Sequence, residues 1–169
     1  MGIGNVAISD TTVEFVRSIL PEGSTILEFG SGEGTVRLSK YYKVYSIENQ
    51  PEWMSRFPEA STYINCNTKW YDESFTAPEM DNIQRAWYDP DMLLPNLPQE
   101  YDLILIDGPG GQFGRGGFLK FIEHFNTNVP MLFDDANRPA ELELMQKVSE
   151  IVNRPYTILE QDPGLGYIL

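Results

Sequence analysis

Short apolar runs alternate with stretches where apolar residues recur every three or four positions. This is the pattern of strands alternating with amphipathic helices. Ser9 and Asp10 are suited to cap a first helix with Val13, Val16, Ile19 and Leu20 on one face, and Pro21 and Gly23 end it. Residues 25–29 predict a first strand, 34–41 a helix, 43–47 a second strand, 51–57 a short helix with Pro51 in its first turn, and 63–66 a third strand. The run 103–106 is apolar throughout, as in a strand covered on both faces, and predicts the fourth. Phe118, Phe121, Ile122 and Phe125 share one side of a helix before the fifth strand at 130–133. Leu142, Met145, Val148 and Val152 do the same for a helix over 139–152. Two last strands, 156–159 and 166–169, are joined near Gly164 as an antiparallel hairpin. Residues 67–91 carry Trp70, Tyr71, Phe75, Trp87 and Tyr88 with no firm period, beyond a short helix after Pro78, and 91–97 read as a helical turn or two. The count is seven strands in an α/β domain spanning 1–169, with a doubly wound, mostly parallel sheet.

Composition narrows the function. Of 169 residues, 25 are acidic and 12 basic, a net charge of −13. A broad nucleic-acid backbone interface needs the opposite sign, so nucleic acid is not favoured as a partner. Cys66 is the single cysteine, which removes intrachain disulfides and Cys-rich zinc sites. No stretch has the length and hydropathy of a membrane span, and the first residues lack a signal-peptide pattern. The expectation is a cytoplasmic domain acting on a small molecule, with the oligomeric state left open.

In sheets of this kind ligands bind beyond the carboxyl ends of the strands. The first strand runs into Glu28-Phe-Gly30-Ser31-Gly32-Glu33-Gly34-Thr35. A dinucleotide turn spaces its glycines G-x-G-x-x-G, but here they fall as G-x-G-x-G, and Thr35 holds the position of the third fingerprint glycine. Glu28 and Glu33 also suit a pyrophosphate poorly and a ligand bearing an amino group well. Glu48, at the end of the second strand, is placed to accept both hydroxyls of a ribose.

These residues resemble a known family. Glu28 to Gly34 looks like motif I of class I S-adenosylmethionine-dependent methyltransferases, and Ile47-Glu48 looks like the acidic position that follows it. The resemblance covers nearly the whole chain. It implies a Rossmann-like sheet in order 3-2-1-4-5-7-6 with strand seven antiparallel. It also implies S-adenosylmethionine held by Glu28, Gly30, Ser31, Gly32, Gly34, Glu48 and Asp107, and methyl transfer to a small-molecule acceptor, at oxygen. Aminopropyl transfer on the same fold and a non-catalytic binding module are the alternatives.

The fourth strand ends in Asp107 and the fifth in Asp134-Asp135. As neighbours, those strand ends would lie about 4.8 Å apart, bringing three carboxylates together. Such a cluster repels itself unless it shares a proton or a cation, and all-oxygen ligands favour a hard ion such as Mg²⁺. The arrangement also resembles metal-dependent O-methyltransferases of the catechol and sugar types, which hold Mg²⁺ with an acid after strand four and an acidic pair after strand five. It departs from them in the Gly-Pro-Gly-Gly run after Asp107. Two readings stay open. Asp107, Asp134 and Asp135 bind a metal, or Asp107 or Asp134 is the catalytic base, with Asp135 capping the next helix.

Residues 108–117 contain six glycines, leaving few side chains to pin the loop, so it is expected to order on ligand binding. Arg115 and Arg138 either hold an anionic group or balance the acidic edge. Trp87 and Tyr88 are candidates for adenine stacking or for core. His124 reads as a surface residue and Cys66 as a small buried hydrophobe.

Overall fold

The computed structural model describes residues 8–70, 86–159 and 164–169. Helix α1 (Asp10–Ile19) starts at Ser9, whose hydroxyl accepts from Thr12 N. Strand β1 (Thr25–Phe29) leads through the glycine turn into α2 (Glu33–Leu38), β2 (Lys43–Glu48), α3 (Pro51–Arg56) and β3 (Thr62–Asn65). Then come β4 (Thr68–Trp70), β5 (Ala86–Tyr88), α4 (Pro90–Leu93), β6 (Leu103–Ile106), α5 (Gly117–Lys120), β7 (Met131–Phe133), α6 (Pro139–Val152), β8 (Tyr156–Ile158) and β9 (Gly166–Ile168).

Seven strands form one sheet in the order β3-β2-β1-β6-β7-β9-β8. All pairs are parallel except those made by β9, which runs antiparallel to both β7 and β8. Renumbered, this is the expected 3-2-1-4-5-7-6. The order reverses between β1 and β6, so the switch point lies where Phe29 pairs with Ile106. The pleat divides the central strands between two cores. Leu27, Phe29, Ile104 and Ile106 face one side, with Trp87, Phe118 and the Leu144, Met145 and Val148 stripe of α6. Ile26, Leu103 and Leu105 face the other, with Val13 and Val16 of α1 and Leu38 of α2. Each such side chain contributes about 1.5–3 kcal/mol by leaving water.

The irregular region departs from expectation. β4 and β5 pair antiparallel as a separate two-stranded ribbon, from Thr68 opposite Tyr88 to Trp70 opposite Ala86. Trp87 and Tyr88 are fully buried against Phe29, which decides against adenine stacking. The helix proposed after Pro78 lies outside the described residues. The helix expected through Phe125 is broken into α5 and a 3₁₀ turn, Ile122–His124. Phe121 leaves helical geometry at the break, with φ −107° and ψ 19°. Phe118 still stacks on Phe125 at 5.1 Å and Trp87 on Phe121 at 5.6 Å. Among the described residues no helix is long and apolar enough to cross a membrane.

At the switch point two backbones touch. Gly30 has φ +87°, and a Cβ there would stand 3.1 Å from the N and Cα of Gly108. From the other side, a Cβ on Gly108 would reach 2.7 Å from Gly30 Cα and 2.6 Å from the Tyr88 hydroxyl. Replacing Gly30 with Ala adds left-handed strain to this contact. The expected cost is about 1–3 kcal/mol, read as a lower midpoint in urea denaturation with an unchanged slope.

Candidate functional site

The carboxyl edge of the sheet opens into a cavity of about 510 Å³. One wall is Gly30, Ser31, Glu48, Asn49, Gln50 and Trp53, and the other is Asp107 to Gly111, Arg115, Asp134, Asp135 and Arg138, with Tyr88 also lining it. The sequence-predicted residues Gly30, Ser31, Glu48, Asp107, Asp134 and Asp135 therefore share one space. Glu28, Gly32 and Gly34 do not line it. Gly34 is packed against Ile8, where a Cβ would come within 2.5 Å.

Glu28 sits behind the turn and fixes its shape. The Thr35 hydroxyl donates to the Glu28 carboxylate at 2.9 and 3.1 Å while accepting from Gly32 N at 3.0 Å. Thr35 thus links the glycine turn to a buried acid. Ser46 Oγ lies 2.6 Å from Glu28 Oε2 and 2.8 Å from Ser61 Oγ, and Ser61 donates to Val44 O. Ser46 has one hydroxyl hydrogen for two neighbours. Ser46 donates to the ionised Glu28 carboxylate; a protonated Glu28 can donate in return, which frees the Ser46 hydrogen for Ser61 while Ser61 donates to the carbonyl. Burial is the largest cause pushing the Glu28 carboxyl up, to about 7.

Glu48 is held differently. Its Oε2 accepts from Ser31 N at 2.9 Å and Ser31 Oγ at 2.7 Å, and its Oε1 from Asn49 N at 2.8 Å and Gln50 N at 2.7 Å. Four donors fill the lone pairs of one carboxylate. Pro51, first in α3, has no N–H to add a fifth, and its helix carries Trp53 to the cavity wall.

On the opposite wall, oxygens of Asp107, Asp134 and Asp135 all lie within 4.8 Å of one another. Arg115 stands among them, 5% exposed. Its Nη1 donates to Asp134 O at 2.9 Å, and its Nη2 donates to Asp135 Oδ2 at 3.2 Å and lies 3.5 Å from Asp107 Oδ1. Its Nε is 4.0 Å from the buried Glu141. Arg138 reaches Asp135 from outside at 3.0 Å. Both arginines balance the acidic edge. Arg115 also gives the glycine loop an anchor, which its composition did not suggest. The carboxylates have the donor chemistry of a Mg²⁺ site, but a guanidinium touches two of the three, so the set as it stands does not fit a bound ion. Asp135 adopts φ +58°, a left-handed turn that aspartate tolerates better than most residues.

Burial, then the neighbouring Asp134 charge, push the Asp107 carboxyl well above the usual carboxylate range. Burial raises Asp134 as well. The two behave as a pair sharing a proton. Among the described residues, neither the buried Asp134 Oδ1 nor the Tyr88 hydroxyl has a hydrogen-bond partner. Both belong to residues on the cavity wall, and the Tyr88 hydroxyl escaped sequence reasoning because nothing local says which end of a buried tyrosine meets the site. Trp53 was missed for a similar reason, although Pro51, three residues after the acidic strand end Glu48, was a usable signal. Cys66 is buried, its thiol pushed up to about 12 by burial, and His124 lies on the surface.

No family model matches the chain, and no curated protein matches it. Solved structures do. Fibrillarin from Aeropyrum pernix, with natively bound S-adenosyl-L-methionine, is 13% identical with a TM-score of 0.56 over 98% of this chain and 76% of its own. The fold is that of S-adenosylmethionine-dependent methyltransferases. A candidate caffeoyl-CoA O-methyltransferase from Staphylococcus aureus gives 14% and 0.60, covering 95% of this chain and 83% of its own. A ribosomal protein L11 methylase from Lactobacillus delbrueckii subsp. bulgaricus gives 13% and 0.50, covering 94% and 76%.

The Glu28 proton has a consequence for stability. The folded protein holds it more tightly than the unfolded chain. Its contribution is therefore full below about 4.5 and is lost as pH rises through about 7. The span corresponds to roughly 3 kcal/mol. In Glu28→Gln an amide supplies the same donor permanently. Relative to the parent, this variant is expected to gain stability as pH is raised from 5 to 8 in denaturant titrations. A difference that stays flat with pH would show that Glu28 is already ionised at pH 5.

Proposed function

We propose that this chain transfers a methyl group from S-adenosylmethionine to an oxygen of a small-molecule acceptor. The observation that carries the reading is the arrangement across one cavity at the switch point: Gly30, Ser31 and Glu48 on one wall, the Asp107–Asp134 pair on the other. Gly30 lets the backbone turn against the ligand, and Glu48 is the acid for the ribose hydroxyls. To admit one of them in place of a protein donor, the Ser31 hydroxyl turns away, since it is the one of four donors on Glu48 that is free to rotate. Trp53 offers an apolar face beside Glu48 for the adenine. Asp107 and the backbone after it are near the amino-acid end.

The chemistry asks little covalent work of the protein. The acceptor oxygen attacks the sulfonium methyl in line. A C–O bond forms, the C–S bond breaks, and S-adenosylhomocysteine leaves. Alignment supplies most of the rate. The acceptor's hydroxyl proton goes to Asp134, whose Oδ1 has no partner among the described residues. Asp107 retains the shared proton. A carboxylate pushed above its ordinary range is the stronger base for that step.

A small acceptor agrees with the charge of −13 and with a polar cavity of about 510 Å³. Structures of this fold also include enzymes named for a ribosomal protein, so the acceptor follows from the cavity and not from the fold. Aminopropyl transfer is less well supported, because Arg115 among the acids repels a polyamine. A binding module without catalysis predicts cofactor affinity with no turnover on any acceptor.

Calorimetry is expected to show S-adenosylhomocysteine binding and no response to NAD. The reverse pattern would sink the reading. Glu48→Ala is expected to weaken S-adenosylhomocysteine by about 1.5–3 kcal/mol. On an acceptor found by screening hydroxylated small molecules, Asp134→Asn is expected to lower turnover by about 10²–10⁴ while cofactor affinity changes little. The parent rate is expected to fall on the acid side, as Asp134 is protonated.

A further inference from the structure

We infer that Arg115 occupies the place a divalent ion would take among Asp107, Asp134 and Asp135, so that this acidic edge works without a metal. The inference rests on the methyl-transfer reading for its meaning, but its geometry stands alone. Three carboxylates at the ends of β6 and β7 need positive charge in their midst. A guanidinium from the glycine loop supplies it, permanently ionised and almost wholly shielded from solvent. One nitrogen, Nη2, touches both Asp107 and Asp135, while Nη1 donates to the Asp134 carbonyl and thereby sets the turn. A hard ion needs carboxylate oxygens at about 2.1 Å in a near-octahedral shell. It cannot take them while the guanidinium stays, because two cations would then share the same oxygens. To leave, Arg115 would give up contacts to Asp107, Asp135, Glu141 and the Asp134 backbone together.

The loop's composition follows from the same arrangement. Glycines at 114, 116 and 117 surround Arg115, and Gly114 has φ +92°. A Cβ on Gly117 would come within 2.1 Å of the Trp87 ring. The backbone can therefore lie close against the aromatic core, with Arg115 reaching inward to the acids. The guanidinium also engages the Asp134 backbone and leaves Oδ1 of its carboxylate without a partner among the described residues. An acceptor needs a single hydroxyl to meet that oxygen. It does not need the two adjacent oxygens that chelation of an ion would ask for, so mono-hydroxylated acceptors fit this site.

The test uses the intact chain and Mn²⁺ as the probe, read by electron paramagnetic resonance and by thermal unfolding. The parent is expected to bind no Mn²⁺ at 1 mM and to show the same melting temperature with Mg²⁺ or chelator. Arg115→Met removes the central cation from the Asp107–Asp134 pair and leaves Asp135 with Arg138 alone. It is expected to melt lower and to be restored by millimolar Mg²⁺ or Mn²⁺, with at least tenfold tighter Mn²⁺ binding than the parent. Arg115→Gln serves if the methionine variant does not fold. Parent binding of Mn²⁺ that Asp134→Asn abolishes would overturn the inference, as would folded charge-free variants that gain no metal affinity. If neither variant folds, the parent measurement alone decides. Calorimetry with S-adenosylhomocysteine on the same samples separates the two claims. Loss of that binding counts against the methyl-transfer reading and leaves the metal result standing.

Discussion

Parallel strands end side by side, and here their ends carry acids. That crowding of negative charge is the constraint around which the candidate site is built. Glu48, Asp107, Asp134 and Asp135 all line one cavity, and Glu28 lies buried behind it. Each is stabilised by different means. Glu48 is saturated by four N–H and O–H donors, three of them backbone. Glu28 holds a proton up to about pH 7. Asp107 and Asp134 share one. Asp135 is met by two arginines. An unpaired buried charge would cost several kcal/mol, so none of these arrangements is optional.

The scaffold that holds this edge is apolar on both faces and closed by aromatic rings on one. Phe29 is central to that side, with Trp87, Tyr88, Phe118 and Phe125 around it. It is also the last residue of β1, one position before the glycine turn. Core packing and ligand approach are therefore joined through a single peptide. Gly30 and Gly108 permit the two strand ends to meet with no side chain between them, which puts backbone rather than bulk at the cavity floor.

The fold is shared with structures named for quite different acceptors, so what distinguishes this chain must lie in its cavity. Three groups shape that cavity. Arg115 enters from the loop after β6, Tyr88 from the ribbon beside the sheet, and Trp53 from the helix after β2. Each brings one group to the wall: a fixed positive charge, a hydroxyl with no partner among the described residues, and an aromatic face.

Much of the architecture was legible in the residue pattern, because strand and helix periods are local. The apolar runs 25–29, 43–47 and 103–106 fell where β1, β2 and β6 lie, and the hairpin at the end was visible from its spacing. Proximity of Asp107 to Asp134 and Asp135 followed from strand adjacency alone. What each acid does was not legible. Glu28 reads as a site residue by position, yet its side chain points into a buried hydroxyl chain made by Thr35, Ser46 and Ser61, residues up to 33 positions away. A glycine-rich loop reads as loose, yet one arginine anchors it. The helix expected through Phe125 breaks at Phe121, and its aromatics pack on Trp87, more than 30 residues earlier. Periodicity reports which residues leave water, and sequence adjacency reports which strand ends meet. Hydrogen-bond partners and counter-charges are chosen in three dimensions among groups far apart in the chain, and only the tertiary structure decides them.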